Sequence, residues 1–166
     1  MFITIKTKNF LSFGLFLLLT FSFCGLCTEV KAQQKSNSEV LITIEREACF
    51  GPCPVYSAHI FSDGTVIYNG KDFVGATGEK RYKISQDQIR ELIEAFVKIK
   101  YFSLKDKYEA DENGKSVTDL PTTTTSLSLD GKQKKVVNYY GGPKELNELE
   151  NKIDRIAGLN EFIYML

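Results

Sequence analysis

Asp-Gly stands twice between runs of β-branched and aromatic residues, at Asp63-Gly64 and at Asp130-Gly131. Both residue types accept the left-handed backbone that a tight turn between twisted strands needs, so each dipeptide pins an antiparallel hairpin. The first joins residues 55–61 to 65–69, and the second joins 122–129 to 132–140. With Asp63 and Gly64 as a two-residue loop, Ile60 faces Ile67 and His59 faces Tyr68. In the second hairpin the adjacent Val136 and Val137 leave the register open.

Three further patterns complete the fold. Val40, Ile42 and Ile44 alternate with more polar neighbours and predict a strand over 39–45. Residues 73–82 add another strand, weakened by Gly75 and Gly78. Ser85 and Gln88 form a capping box, with Ile84 and Ile89 as its hydrophobic staple. The helix that follows carries an apolar stripe of Ile89, Leu92, Ile93, Phe96 and Val97. Residues 105–120 are polar and read as a loop. Pro143 opens a second helix with Leu146, Leu149, Ile153 and Ile156 on one face, and Gly158 stops it.

The order β-β-β-(β)-α-β-β-α predicts an α+β fold. Two hairpins and the N-terminal strand make an antiparallel sheet, covered on one face by two amphipathic helices. The expected domain spans 40–158, between a lead-in at 33–39 and a tail at 159–166.

Export is expected from the N-terminus. Lys6 and Lys8 precede an apolar run from Phe10 to Phe23, and Val30-Lys31-Ala32 has the small-x-small pattern of a cleavage site. Residues 1–32 are therefore read as a cleaved signal peptide. The run is short for a bilayer span and no later segment approaches membrane length, so a soluble mature protein in the periplasm or outside the cell follows. A lipid anchor on Cys24 or Cys27 is the rival reading, although neither is preceded by Leu and small residues. The chain carries 21 basic and 21 acidic residues. Cleavage removes Lys6, Lys8, Lys31 and Glu29, leaving 18 basic and 20 acidic residues, a balance that gives no field for nucleic acid.

Cleavage also leaves Cys49 and Cys53 as the only cysteines. An even pair in an oxidising compartment predicts a structural disulfide. The surrounding Cys49-Phe50-Gly51-Pro52-Cys53-Pro54 resembles the Cys-x-x-x-Cys-Pro of copper-delivery proteins with a thioredoxin-like fold, and more faintly the Cys-Gly-Pro-Cys of thioredoxins. A redox dithiol or a metal pair at Cys49 and Cys53 thus remains open. In thioredoxin-like proteins the motif starts a helix whose positive end acidifies the thiol, whereas here Pro54 leads into a hairpin. A third metal ligand is also distant. His59 is the only histidine, and an extended strand would hold it about 20 Å from Cys53 at ~3.3 Å per residue.

Other candidates are weaker. His59 reads as a sheet-face residue with no nucleophile set beside it. Asp106, Glu109, Asp111 and Glu112 lack the ligand offsets of a calcium loop. Lys132, Lys134 and Lys135 suit a guarded strand edge. Tyr139 and Tyr140, before Gly141-Gly142, offer aromatic rings at a sheet end as a binding surface. No cofactor is implied.

Residues 48–56 (Ala-Cys-Phe-Gly-Pro-Cys-Pro-Val-Tyr), Asp63-Gly64-Thr65-Val66 and residues 118–125 (Thr-Asp-Leu-Pro-Thr-Thr-Thr-Thr) recur in a known order. With Lys135-Val136-Val137 and Tyr140-Gly141, the chain resembles DUF6438, a bacterial domain-of-unknown-function family of small exported proteins, across about residues 40–157. The resemblance implies no activity, substrate or cofactor. The residues favour a non-catalytic binding or interaction module of the envelope, acting on an envelope protein or small ligand. The alternative is a thiol-redox or copper-handling protein built on Cys49 and Cys53.

The exported protein is expected to begin at Gln33. N-terminal sequencing of secreted material checks this, and a lipid found on Cys24 or Cys27 would overturn it.

Overall fold

A computed structural model describes residues 38–164. The expected signal peptide, its expected cleavage after Ala32, Cys24 and Cys27, and all but the end of the expected lead-in lie outside the described residues. Seven strands form one sheet in the order β4-β3-β2-β1-β6-β7-β5. They are β1 (Val40–Arg46), β2 (Val55–Phe61), β3 (Thr65–Asp72), β4 (Gly78–Lys83), β5 (Lys107–Glu109), β6 (Thr123–Leu129) and β7 (Lys132–Tyr140). Helices α1 (Gln86–Lys98), α2 (Lys144–Ile156) and α3 (Asn160–Ile163) accompany them. The fold is α+β, and the sheet is antiparallel except where β5 runs parallel to β7.

Both Asp-Gly hairpins form, but their loops differ. At Asp130-Gly131 both residues have positive φ, 52° and 72°, and Leu129 pairs with Lys132 across a two-residue loop. That register sets Val136 opposite Thr125 and buries it, leaving Val137 half-buried. The β2–β3 loop instead holds three residues. Gly64 (φ +83°) donates its amide to the Phe61 carbonyl at 3.0 Å, and Asp63 Oδ1 accepts from the Thr65 amide at 2.9 Å. This is the three-residue turn closed by a left-handed glycine. It shifts the expected pairing by one, so Ile60 faces Val66, His59 faces Ile67 and Ala58 faces Tyr68.

Strand β1 lies in the middle of the sheet. Ile42 pairs with Ile60 on one side and Leu127 on the other, and Ile44 with Ala58 and Thr125. The strand therefore joins the two hairpins. The region 73–82 gives only the shorter β4, because Phe73 and Gly78 turn the chain through positive φ of 50° and 76°. Within the expected loop 105–120, β5 forms against Val137, Asn138 and Tyr140. Three residues with one half-buried side chain, Tyr108, carry no periodicity that a sequence could display.

Helix α1 starts as its capping box dictates. The Gln88 amide donates to Ser85 Oγ at 3.2 Å, and the Ser85 amide to Gln88 Oε1 at 2.9 Å. Ile89, Leu92, Ala95 and Phe96 are buried, whereas Val97 is 61% exposed. The buried stripe is thus rotated toward Ala95 and away from the flank that Val97 occupies. Helix α2 buries Leu146, Leu149, Ile153 and Ile156, and Gly158 ends it at φ +74°.

The segment read as a tail then folds back as α3. Leu159 and Ile163 are buried, and the Phe162 ring lies 5.2 Å from that of Tyr68 and 5.4 Å from that of Tyr82. Amides of Gly75 and Ala76 donate to the Ile163 and Phe162 carbonyls. Gly158 stops one helix without ending the packed chain.

Phe96 is fully buried, with its ring 4.7 Å from the Tyr101 ring in an edge-to-face contact. Phe96→Ala is expected to cost about 3–5 kcal/mol in chemical denaturation, the range for a large aromatic lost from a core. Val97→Ala, one residue on, should stay within about 0.5 kcal/mol of wild type.

Candidate functional site

Strand alternation sets up the site. Ile42 and Ile44 point into the core, and the next inward position of β1 is Arg46. A guanidinium taken out of water needs its donors met and its charge matched. Its Nε donates to the Tyr56 hydroxyl at 2.9 Å and its Nη1 to Thr123 Oγ1 at 3.0 Å. Nη2 reaches Asp154 Oδ2 at 2.7 Å and Asn151 Oδ1 at 3.3 Å, both on α2. Tyr56, the cross-strand partner of Arg46, donates to Asp154 Oδ1 at 2.6 Å. Burial, followed by the Asp154 charge, raises the Tyr56 hydroxyl, so it stays a donor. Burial also pushes Asp154 above the ordinary carboxylate range, while Arg46 and the Tyr56 hydroxyl pull it back.

One turn earlier on α2 sits Glu150, 4% exposed. Asn138, inward-facing on β7, gives one N–H to Glu150 Oε1 at 2.9 Å and the other to Asn147 Oδ1 at 2.8 Å. Desolvation raises the Glu150 carboxyl to about 7, against weaker lowering by Asn138 and Arg46 and a small push from Asp154. The chain corner before α2 is fitted to this arrangement. A Cβ on Gly142 would stand 2.3 Å from Asn138 Oδ1, so only glycine lets the Asn138 amide pass.

Arg46, Asn138, Asn147, Glu150 and Asn151 floor a cleft of about 390 Å³, with Tyr139, Tyr140, Leu120 and Pro121 on its walls. A smaller hollow of about 160 Å³ adjoins it, lined by Cys53, Pro54, Tyr56 and Asp154. Arg46, Pro121 and Asn151 border both. The structure thus brings Tyr139, Tyr140 and Cys53 around one polar cluster, although the sequence offers them as separate candidates.

Cys49 and Cys53 are disulfide-bonded with their Cα atoms 5.8 Å apart. The Cys53 amide closes the turn onto the Gly51 carbonyl at 2.8 Å, and Phe50 at its tip is 89% exposed. Strand β2, not a helix, begins two residues after Cys53. His59 stands exposed on the open sheet face, between Thr43 and Ile67 in the pairing. Among the described residues no three of His, Cys, Asp or Glu gather as a metal cluster. In the acidic loop, Asp111 Oδ1 accepts the amides of Asn113 and Lys115, and Asp106 pairs with Lys134. Because β5 pairs β7 only from Val137 onward, Lys132, Lys134 and Lys135 lie on an open edge.

Arg46, Asn138, Glu150 and Asp154 escape a reading by residue type. Their signal was positional. Arg46 keeps phase with Ile42 and Ile44, Asn138 keeps phase with Val136, and Glu150 and Asp154 follow Leu149 and Ile153 along the buried flank of α2.

Fold and site together define a one-face-covered α+β sheet protein with an aromatic-walled polar cleft at one sheet end. Residues 40–157 match the family described as Domain of unknown function (DUF6438), and the chain belongs to that family. No protein of curated function matches it.

Glu150 makes stability depend on pH. Its folded value of about 7 lies above the ordinary 4.5, so the folded chain holds its proton more tightly. That contribution is complete below about pH 4.5 and is lost as pH rises through 7, by about 3 kcal/mol at most. Glu150→Gln, which can still accept from Asn138, is expected to flatten the pH 5–8 stability profile. Denaturation midpoints for both proteins across that range check it, and parallel profiles would refute the assignment.

Proposed function

We propose that this protein is a non-catalytic binding module of the cell envelope, which takes its ligand in the cleft between Pro121 and the corner at residues 139–142. One observation carries the reading. Every side-chain N or O fully shielded from solvent among the described residues has a hydrogen-bond partner, so the floor under the cleft is held in place before any ligand arrives. A floor already ordered spends little binding energy on ordering, which favours recognition. The wall pair Tyr139 and Tyr140 supplies large contact area with few rotatable bonds.

Placement in the envelope, exported to the periplasm or beyond, rests on the charged, apolar and small-residue order of the first 32 residues. The disulfide agrees with an oxidising compartment. Among the described residues no helix is long and apolar enough to cross a membrane.

The alternative assigns thiol exchange or copper handling to Cys49 and Cys53. A β-strand after the motif supplies no helix N-terminus to acidify either thiol, which weighs for a structural bond. The loop it closes has a sequence separation of 4, so its stabilisation should be about 1–2 kcal/mol, below that of longer loops. Redox titration with thiol trapping is expected to place the pair below about −300 mV. A potential near −200 mV, or stoichiometric copper retained by wild type and lost in Cys49→Ser, would transfer the assignment to the alternative.

A further inference from the structure

The geometry points to an organic ammonium group as what the cleft recognises, seated between Glu150 and the cleft wall at Tyr140. This inference rests on the cleft being the binding site and adds the chemical class of its ligand.

An unpaired oxygen on a buried carboxylate carries it. Asn138 has two N–H groups, and Asn147 and Glu150 take both. Arg46 uses four of its five N–H donors on Tyr56, Thr123, Asn151 and Asp154, and Asp154 matches its charge. The one N–H left on Nη1 belongs to a guanidinium whose charge Asp154 already neutralises, a weak hold for an anion. The acceptors are different. Glu150 Oε1 receives Asn138, but Oε2 has no donor among the described residues and, since no fully shielded polar atom among them is left unpaired, it opens to the cleft. The Asn147 and Asn151 carboxamide oxygens, each accepting one bond, keep a second lone pair. The Asn147 and Asn151 carboxamides can turn either face to a ligand, so ionised Glu150 is what sets the floor's preference for a cationic, donor-rich head group. An ammonium brings three N–H donors and a charge that aromatic faces attract.

The charges around the site agree. Glu150 is faced by Arg46 from β1, Asp154 from its own helix and Tyr101 from the 3-10 turn at Tyr101–Ser103. Tyr101 stays protonated, raised first by burial. With Arg46 and Asp154 cancelling, ionised Glu150 leaves one negative charge in excess. A cleft of about 390 Å³ suits a small ligand or a single lysine side chain of a peptide.

The test uses the exported protein labelled for amide NMR at fixed ionic strength. The probes are 1-aminopentane, Nα-acetyl-lysine amide, N-acetylglucosamine and acetate. Both amines are expected to shift the amides of residues 139–142 and 147–151 saturably. Tighter binding of the acetyl-lysine amide than of aminopentane would assign the head group to a peptide, and the reverse to a small amine. Because Glu150 titrates near 7, affinity should be about tenfold weaker at pH 6 than at pH 8. Glu150→Gln should abolish the shifts, while Glu145→Gln on the exposed face of α2 should leave them intact. Should Glu150→Gln fail to fold, Asn151→Lys at the exposed rim sets a cation beside the site and should abolish amine binding by repulsion. Amine shifts that persist in both Glu150→Gln and Asn151→Lys overturn the inference. Shifts caused by acetate or the sugar but not the amines overturn the ligand class and leave the cleft as a binding site. Silence from all four probes removes both.

Discussion

A guanidinium pointing inward from the middle strand of a sheet constrains everything packed above it. Removing either member of a buried ion pair costs about 3–5 kcal/mol, because the survivor keeps its desolvation without its partner. Arg46 therefore fixes where α2 lies: Asn151 and Asp154 must arrive over β1 with their oxygens within reach of one Nη2. Tyr56 and Thr123 hold the guanidinium from the two strands beside it. Apolar burial could seat α2 in several nearby positions. The ion pair selects one.

That placement is what creates the cleft. With α2 pinned at Asp154, Glu150 falls one turn nearer the helix start and over Asn138, where the chain leaves β7 for the glycine corner. A Cβ on Gly141, at φ +76°, would stand 2.1 Å from the Ala110 carbonyl oxygen, so only glycine fits and the corner packs directly on the segment after β5. The short parallel strand thereby braces the cleft wall, for Glu109 pairs with Tyr140. Strand β5 looks marginal as a secondary-structure element and matters as a buttress.

What the sequence disclosed depended on how far apart the interacting residues lie. The capping box at Ser85 and the loop at Asp130-Gly131 are settled within four residues, and both form as their chemistry requires. The three-residue β2–β3 loop is local too, yet Asp-Gly serves either loop length, and the Ile84 amide bonding to the Gly64 carbonyl ties it to the start of α1. Arg46 and Asp154 are 108 residues apart, and Ile42 meets Leu127 across a similar gap. No window along the chain contains such a pair. Residue type misled as well: an arginine after two isoleucines looks like the solvated end of a strand, and only the unbroken alternation marks it as inward. Tyr139 and Tyr140 were legible as a surface, but the acidic floor beneath them was not.

Apolar and polar burial are concentrated at different positions along the sheet. Phe96, Leu92, Tyr101 and Leu127 form a dry middle, where the Tyr101 hydroxyl is met by Thr125 and every large side chain is fully or nearly fully buried. Polar groups concentrate toward the other end, where β1 finishes at Arg46, β6 begins at Thr123 and α2 begins at Lys144. An interior charge there costs the core little, because Asp154 matches it and Tyr56, Thr123 and Asn151 take its remaining bonds. It also leaves Glu150 in the intermediate condition that the proposed ammonium site requires: buried enough that its proton is held to about 7, yet with an Oε2 that could exchange that proton for a cation. A fully solvated carboxylate would bind such a cation weakly against water, and a fully enclosed one would stay neutral.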